Sequence, residues 1–532
     1  MRKLLFLLLT GVLISMSSCR NDFQFEPSTG GLEFSKDTVY LDTVFTNIGS
    51  STYRLKVYNR SDKDISIPQV KLQKGITSKY RIMVDGMTGD AGAEGKVFSN
   101  VELLAKDSLY IFIEVTADVA SANPTDFLYT DKIEFTNIAG AAQDVDLVTL
   151  IQDAYFIYPQ RTGTTGNFLY EAVNLGVGDD GSNVVISGSN LDPADPVNGN
   201  EYFWNNSKPY VIYGYAFVPD LKTLTVEKGA RIHFHANSGL IIAKNATLKI
   251  MGELSSTVAL EKEVIFEGDR LEPIYTDVPG QWGAIINYST SSLNEINHLT
   301  LKNATVGILC GNLATTTNTA DFPKLTIKNS QIYNCSNLGI LSRKSNINGE
   351  NIVINYCGQA SLACTYGGTY NFTHCTFNNN WNSSNQVAVL LNDYYENETT
   401  LFVNNPINVF NFNNCIMYGS NQVEFLIDRK GNHTFSHKLK NCLLRFNNIN
   451  NQFTNNLLYQ FSTDVTHYVD CTIATNSSTN KPKYKDLNNN KLWLTEDLNL
   501  PADAASTALA PLDILNHDRT TSTDLGAYQF VP

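Results

Sequence analysis

Cysteine and histidine are the side chains of this 532-residue sequence best suited to bind a metal ion or attack a substrate. The chain has nine cysteines and eight histidines, but no two cysteines have the CxxC spacing of a metal or redox motif. His233 and His235 lie two residues apart, on one face of a strand, and no third ligand is near them in the sequence. We therefore expect no metal site and no cofactor.

Carboxylates are the second group that could do chemistry, because paired acids cleave glycosidic bonds. Asp393, Glu396 and Asp428 stand in segments that read as loops, and they are the candidates for a polysaccharide lyase or hydrolase. No Gly-rich phosphate loop or nucleophile elbow accompanies them in the sequence. We assign no catalytic residue, and an enzyme remains an alternative.

A repeated frame predicts the elements that position these side chains. It consists of an apolar residue, any residue, Asn or another polar residue, two further residues and a second apolar residue. Its polar positions are 303, 329, 351, 374, 414, 441 and 470, which are 26, 22, 23, 40, 27 and 29 residues apart. A period in the twenties without helices predicts a β-solenoid, whose rungs bury their apolar faces only by stacking. Strand alternation predicts that the polar residue points inward, where stacked Asn side chains hydrogen-bond along the axis.

Cysteine recurs directly after the polar position of the frame, at Cys375, Cys415, Cys442 and Cys471. A cysteine that repeats at one rung position is typical of a small, buried apolar residue. We therefore interpret these four residues as part of the core. Stacked neighbours could also form disulfides in an oxidising compartment, and the sequence leaves that alternative open.

Across residues 209–505, this frame resembles the right-handed parallel β-helix superfamily, the fold of the pectate lyases. The segment Pro279-Gly280-Gln281-Trp282-Gly283-Ala284-Ile285 is similar to one seen in β-helix lipoproteins, and Asp524-Leu525-Gly526-Ala527-Tyr528 looks like a terminal capping motif. The resemblance implies a parallel β-helix over 209–505 and a C-terminal cap over 506–532. Enzymes of this fold place carboxylates and a Lys or Arg on the outer face of one sheet, and the resemblance transfers no activity by itself.

The residues beside the first apolar position of the frame are expected to point outward. They form a stripe of Thr, Asn and Lys with one acid, which lacks both paired carboxylates and an acidic calcium site. We predict that this stripe binds a ligand, either a glycan or an envelope protein, without catalysis. The predicted ligand-binding residues are Thr300, Lys302, Thr326, Lys328, Asn371, Thr373, Asn411, Asn413, Lys438 and Lys440.

The N-terminus has the pattern of a targeting segment. Arg2 and Lys3 precede an apolar run, Leu4 to Ile14, that is too short to span a bilayer. The small residues before Cys19 resemble a bacterial lipobox, which implies a lipoprotein signal peptide over 1–18, a lipid on Cys19 and a tether over 19–30. More than one acyl chain on Cys19 would hold the protein at the outer membrane, on the cell surface or the periplasmic face. An ordinary cleaved signal peptide is the alternative.

Residues 31–155 alternate apolar and polar types in short runs separated by turn residues, which predicts an all-β domain. The order of strands and turns resembles immunoglobulin-like modules of bacterial surface lipoproteins. Residues 156–208 are rich in Gly, Asn, Asp and Pro and read as a linker or cap region. The predicted fold is therefore all-β, with an immunoglobulin-like β-sandwich followed by a right-handed parallel β-helix.

Charge narrows the range of partners. The 39 basic and 52 acidic residues give a net charge of −13, which argues against binding nucleic acid. We predict an outer-membrane lipoprotein that acts as a non-catalytic binding or scaffold protein. The alternatives are a polysaccharide lyase or glycoside hydrolase, and an accessory structural subunit of an outer-membrane complex.

The anchor is tested by Cys19→Ala. Without the thiol no lipid can be attached, so we expect the variant to move from the membrane fraction to the soluble fraction of a cell lysate. Fractionation and immunoblotting of wild type and variant measure this, and continued membrane retention of the variant would refute the lipid anchor.

Overall fold

The computed structural model describes residues 24–140, 142–161, 168–169, 171–177, 182–311, 321–396, 401–402, 408–476 and 478–532. Cys19 and the predicted signal peptide lie outside these residues. Within the described ranges, no helix combines the length and apolar character needed to cross a bilayer. The chain divides into two compact units, Met1–Asp153 and Ala154–Pro532, and both are built from β-strands.

The first unit has two sheets whose buried residues form one apolar core. Alternation along the strands produces this core: Leu55 and Val57 are buried, and the residues between and beside them are not. One sheet contains Glu26–Pro27, Ile65–Leu72, Leu128–Phe135, Gln143–Gln152, Thr38–Phe45 and Val97–Leu103. The other contains Glu33–Phe34, Tyr53–Tyr58, Ser108–Val115 and Tyr80–Val84. Short 3-10 helices are Gly75–Thr77 and Val119–Ser121.

The second unit is a stack of rungs in which the strands pair in parallel with those of the neighbouring rungs. The exception is the antiparallel pairing of Glu171–Val177 with Asn183–Asn190. Each full rung contributes to three ladders in chain order. The first ladder contains Glu171–Val177, Asn183–Asn190, Tyr215–Val218, Gly239–Ile242, Ile285–Asn287, Val306–Gly311, Leu338–Glu350, Ala360–Thr373, Val387–Asn392 and Phe425–Asp428.

The second ladder shares its two longest strands with the first. It contains Phe203–Trp204, Thr223–Glu227, Thr247–Met251, Glu295–Asn297, Lys324–Lys328, Leu338–Glu350, Ala360–Thr373, Asn408–Asn413, Ser436–Lys440 and Tyr468–Val469. The third ladder contains Tyr155–Ile157, Tyr210–Ile212, Arg231–Phe234, Val264–Gly268, Leu299–Lys302, Gln331–Cys335, Val353–Cys357, Thr376–Asn379, Ile416–Gly419, Leu443–Arg445 and Thr472–Ala474.

Smaller elements branch from the stack or follow it. They are the hairpins Gln160–Arg161/Phe168–Leu169, Tyr395–Glu396/Leu401–Phe402 and Tyr484–Asp486/Lys491–Leu494, the 3-10 helices Pro273–Tyr275, Ile449–Asn451 and Leu457–Tyr459, and the α-helix Pro501–Ala504. The first strand of the stack begins at Tyr155, and its last strand ends at Ala474.

In successive rungs, the short connection from the second ladder to the third contains one residue with positive φ. Asn, Asp and His tolerate this left-handed conformation better than other residues with a Cβ. In the first six of these turns, the backbone N–H of the turn residue donates to a carbonyl of the next rung, for example Asn351 to Thr373 and Asn414 to Lys440. We call these residues the turn column; they are His298, Asn329, Asn351, His374, Asn414, Asn441 and Asp470.

The turn column corrects the predicted frame in two ways. Its polar residues are turn residues rather than inward-pointing strand residues. The first member is also His298 rather than Asn303, which follows the third-ladder strand Leu299–Lys302. The frame also fits Ile296, His298 and Leu301, so the sequence offers two registers at this rung. Axial side-chain hydrogen bonds do occur, since Asn351 Nδ2 donates to Asn329 Oδ1 at 2.9 Å.

Apolar side chains fill the interior of the stack. The Phe372 and Phe412 rings of successive rungs stack 5.3 Å apart, and Cys375, Cys415 and Cys442 are fully buried beside them. The frame lacks its first apolar residue at Gly349 because a Cβ there would lie 2.4 Å from the Phe372 ring. The cysteines among the described residues are free thiols, in agreement with their interpretation as core residues.

The C-terminal segment, residues 478–532, packs on the outside of the third ladder. Leu500 and Leu525 join Ile416 and Leu443 in one apolar cluster. Polar contacts reach the turn column, because the Asn351 and Asn414 side-chain amides donate to the Leu512 and Thr507 carbonyls at 3.0 and 2.8 Å. Arg519 is fully buried and donates to Asn351 Oδ1 at 2.8 Å. The outer face of these later third-ladder rungs is therefore covered.

His374 makes the stability of this region depend on pH. Burial, and then the charge of Arg519, lower the pKa of His374 to about 3, whereas an unfolded histidine titrates near ~6.5. Below pH ~6.5, His374 therefore binds a proton in the unfolded chain, whereas in the folded chain it stays neutral down to about pH 3. From His374 alone, the free energy of unfolding should decrease over that window by up to about 1.4 kcal/mol per pH unit.

His374→Asn should reduce this slope, because Asn suits the left-handed turn and does not titrate. Denaturant unfolding at several values between pH 7.5 and 4.5 should show about one fewer proton taken up on unfolding of the variant. The matched control is Asn432→Ala at an exposed loop position, which removes no titratable group and should keep the wild-type slope. Equal slopes in wild type and His374→Asn would contradict the assignment of a neutral, buried His374.

Candidate functional site

Eight of the ten predicted ligand-binding residues lie together on the outer face of the second ladder. Its inner side chains belong to the core, so the alternate positions point outward. In-register pairing aligns them in two columns, which we call the second-ladder face. The first column is Thr326, Asn348, Asn371, Asn411 and Lys438; the second is Lys328, Glu350, Thr373, Asn413 and Lys440.

The amides of the first column are held by one another. Asn371 Nδ2 donates to Asn348 Oδ1 at 3.0 Å, and Asn411 Nδ2 donates to Asn371 Oδ1 at 2.9 Å. Because each rung lies about 4.8 Å from the next, this ladder presents amide groups at a fixed repeat and in a fixed orientation. Such a row can exchange hydrogen bonds with a ligand that carries many hydroxyl groups.

The charges of the second-ladder face are mainly positive. Lys328 Nζ lies 3.6 Å from the carboxylate of Glu350, so this pair is nearly neutral. Lys438 and Lys440 are exposed, and within the described ranges neither forms an ion pair with an acid. The face therefore has an amide centre and a cationic end.

A shallow groove of about 310 Å³ crosses one part of this face. Hydroxyl, amide and ammonium groups line it, and two of the predicted residues, Thr326 and Asn371, are among them. The other polar lining residues are Ser292, Asn294, Lys324, Asn346, Asn348 and Thr369.

The structure places Thr300 and Lys302 on the third ladder, apart from the other eight residues, because His298 rather than Asn303 is the turn residue of their rung. Thr300 is buried, and its hydroxyl donates to Glu263 Oε2 at 2.7 Å. Lys302 Nζ lies 2.8 Å from Glu267 Oε2, and the Lys302 side chain is 14% exposed. The polar groups of Thr300 and Lys302 therefore bind acids within the protein rather than pointing into solvent.

Glu267 is the centre of a charge cluster that the sequence frame does not reveal. Burial raises its pKa, but the charges of His233 and Lys302 outweigh burial and hold the pKa below its usual range. His233 Nδ1 lies 3.8 Å from Glu267 Oε1. An ionised, paired carboxylate of this kind stabilises the fold and is a poor proton donor.

The three acids considered for catalysis also form hydrogen bonds or ion pairs within the protein. Asp393 is buried and accepts backbone N–H groups of Lys430 and Gly431, and Arg429 Nε lies 3.2 Å from its Oδ2. Glu396 pairs with Lys430 at 2.6 Å. Asp428 accepts a hydrogen bond from the Tyr394 hydroxyl. These contacts give each acid a structural partner.

One set of described residues brings three carboxylates within 4.8 Å of one another, as a cation site would. Its members are Asp497, Asp503 and Asp524 of the C-terminal segment. Burial, and then the charge of Asp524, raise the pKa of Asp503 to about 7. Asp524 Oδ2 already accepts the Gln529 amide at 2.6 Å and the Phe530 N–H at 2.7 Å, so it also ties the end of the chain together.

Comparisons with known proteins add little to this geometry. No protein-family model matches the chain, and no curated protein matches it. The catalytic unit of a GH87 α-1,3-glucanase from Streptomyces thermodiastaticus aligns over 74% of this chain and 84% of its own, with 9% identity and a TM-score of 0.21. A family 123 glycoside hydrolase from Clostridium perfringens aligns over 24% of this chain, with 9% identity and a TM-score of 0.16; the alignment spans 31% of that enzyme.

A PapD-like domain of human CEP192 aligns over 26% of this chain and 95% of its own, with 12% identity and a TM-score of 0.16. At such low scores these alignments carry no argument about the function of this chain.

The two lysines that the structure separates should respond differently to replacement. Lys302→Ala leaves Glu267 largely buried beside fewer cations, so the free energy of unfolding should decrease by about 1–3 kcal/mol. Lys440→Ala removes an exposed charge, so the change should stay within about 0.5 kcal/mol. Denaturant unfolding measures both, and equal losses would contradict the separate placement of these residues.

Proposed function

We propose that this protein is a non-catalytic outer-membrane lipoprotein that binds a glycan through the second-ladder face. In this proposal, a lipid on Cys19 is the anchor, the first unit is an immunoglobulin-like spacer, and the second unit is a right-handed parallel β-helix that presents the binding face. The lipid would place the protein on the cell surface or on the periplasmic face of the outer membrane.

The observation that carries this proposal is the amide ladder of Asn348, Asn371 and Asn411. Side-chain amides donate and accept hydrogen bonds, as sugar hydroxyls do. Fixing the amides in advance reduces the rotamer entropy that a flexible surface would lose on binding. A row repeated on successive rungs also suits a polymer better than a single small molecule.

Exposure separates this face from the third ladder. The C-terminal segment covers the later third-ladder rungs, whereas the second-ladder residues Thr326, Asn371 and Asn411 are half-buried and Lys440 is exposed. Lys438 and Lys440 add positive charge at one end, so an acidic glycan would gain from that end while a neutral glycan would not.

Carboxylate geometry favours binding over cleavage. The two columns of this face include one described carboxylate, Glu350, and Lys328 Nζ lies 3.6 Å from it. Glycosidases use a pair of carboxyl groups about 5–9.5 Å apart, and the described residues of the two columns supply a single one.

The proposal is tested with the double variant Asn371→Ala/Asn411→Ala. Both residues are half-buried with outward side chains, so folding should be retained while the amide ladder is lost. Isothermal titration of the full-length protein in detergent against a panel of neutral and acidic oligosaccharides should identify a ligand of the wild type. Affinity of the double variant for that ligand should fall by about tenfold or more.

The matched control is Asn432→Ala, an exposed asparagine off the second-ladder face, which should bind like wild type. The same mixtures are then analysed for shortened or unsaturated products. Product formation would contradict the non-catalytic role and support the enzyme alternative. Wild-type affinity in the double variant would contradict binding through this face, and co-purification with an outer-membrane barrel in place of glycan binding would support the subunit alternative.

A further inference from the structure

A second cleft lies between the C-terminal segment and the third ladder. Its floor consists of outward residues of successive rungs, Asn378 paired with Tyr418 and then Arg445 in the next rung. Its wall is the segment around the hairpin Tyr484–Asp486/Lys491–Leu494, including Lys481. The cleft encloses about 690 Å³, which is in the size range of small-molecule sites.

Three of the residues that line this cleft carry a buried polar atom without a partner among the described residues. Tyr418 is 5% exposed and Asn378 is 1% exposed, yet Tyr418 Oη and Asn378 Oδ1 have no hydrogen-bond partner among the described residues. The Tyr484 hydroxyl is also buried and unpaired within that part of the chain. Asn378 Nδ2 donates to Asn355 Oδ1 at 2.9 Å, which fixes the amide. Unpaired buried polar atoms are costly and rare, so three on residues that line one cleft point to a ligand that pairs with them once these side chains turn towards it.

The charge beneath and beside these atoms is positive. Arg445 is 3% exposed and is held by the Ala474 carbonyl and by Gln422 Oε1 at 2.9 Å. Lys481 is exposed at the rim and has no acidic partner among the described residues. Lys483, by contrast, pairs with Glu496 at 2.7 Å.

The acid nearest the floor does not cancel this charge. Glu424 is fully buried, and burial raises its pKa to about 8. At neutral pH it is therefore largely protonated, so it leaves the charge of Arg445 uncancelled.

We propose that this cleft is a binding site for an anionic sugar, separate from the second-ladder face. The tyrosine hydroxyls and the Asn378 carbonyl oxygen would pair with sugar hydroxyls, the rings of Tyr418 and Tyr484 with Leu487 would pack against the ring carbons, and Lys481 would face the anion. The shared chemistry is a hydroxylated ring with one negative group, either a carboxylate or a phosphate.

The experiment uses D-glucuronate, D-glucose 6-phosphate and D-glucose as probes, with saturation-transfer NMR and titration of the full-length protein in detergent. At least one anionic sugar should bind about tenfold more tightly than glucose, and the stronger of the two identifies the anion. Binding of glucose as tight as that of both anionic sugars, or binding of none of the three, would overturn the proposal.

Variants then locate the site. Tyr418→Phe and Lys481→Met should each weaken binding of the anionic sugar by about fivefold or more. Tyr418→Phe should not lower the thermal midpoint, because it removes an unpaired buried hydroxyl without changing the ring. The matched control Lys485→Met, on the same hairpin but outside the lining, should bind the anionic sugar like wild type. Unchanged affinity in Tyr418→Phe and Lys481→Met would overturn the assignment to this cleft.

Discussion

Stacking of the rungs is the constraint on which the second unit depends. A single rung cannot bury its apolar side chains. It also cannot pair its own backbone N–H and C=O groups, because each strand forms its hydrogen bonds with the strands of the neighbouring rungs. The turn column depends on stacking as well, because residues such as Asn351 and Asn414 donate their backbone N–H to a carbonyl of the next rung. Without its neighbours, each rung would lose both its buried apolar contacts and the hydrogen bonds of its turn residue.

Register follows from that stacking, and register produces the candidate sites. On the second ladder it aligns Asn348, Asn371 and Asn411 into an amide row. On the third ladder it aligns Asn378 with Tyr418, and the C-terminal segment encloses them in a cleft. The two sites thus share one cause, the repetition of outward positions at a fixed spacing, and differ in whether another part of the chain covers the face.

The sequence was informative where the chemistry is local and repeated. Asn351, His374 and Asn414 mark their rungs because a left-handed turn restricts the residue type, and this restriction leaves a visible pattern. The frame was ambiguous at one rung, where both His298 and Asn303 satisfy it. That ambiguity shifted the register and assigned Thr300 and Lys302 to the wrong ladder.

Contacts between distant parts of the chain left no such pattern. Glu267 meets Lys302 because two rungs lie side by side, and Tyr418 meets Tyr484 because the C-terminal segment folds back along the stack. Neither pairing follows from the frame, since Glu267 precedes the first rung that the frame marks and Tyr484 follows the last one. The sequence therefore predicts the second ladder and most of its outward residues, but it predicts neither the charge cluster around Glu267 nor the cleft.

The most direct test of glycan binding by the second-ladder face is amide hydrogen exchange of the full-length protein with and without a bound polysaccharide. We predict slower exchange in second-ladder segments of consecutive rungs, within Lys324–Lys328, Leu338–Glu350, Ala360–Thr373, Asn408–Asn413 and Ser436–Lys440. Protection confined to the first unit or to the third ladder, or no protection by a polysaccharide that binds, would contradict this account.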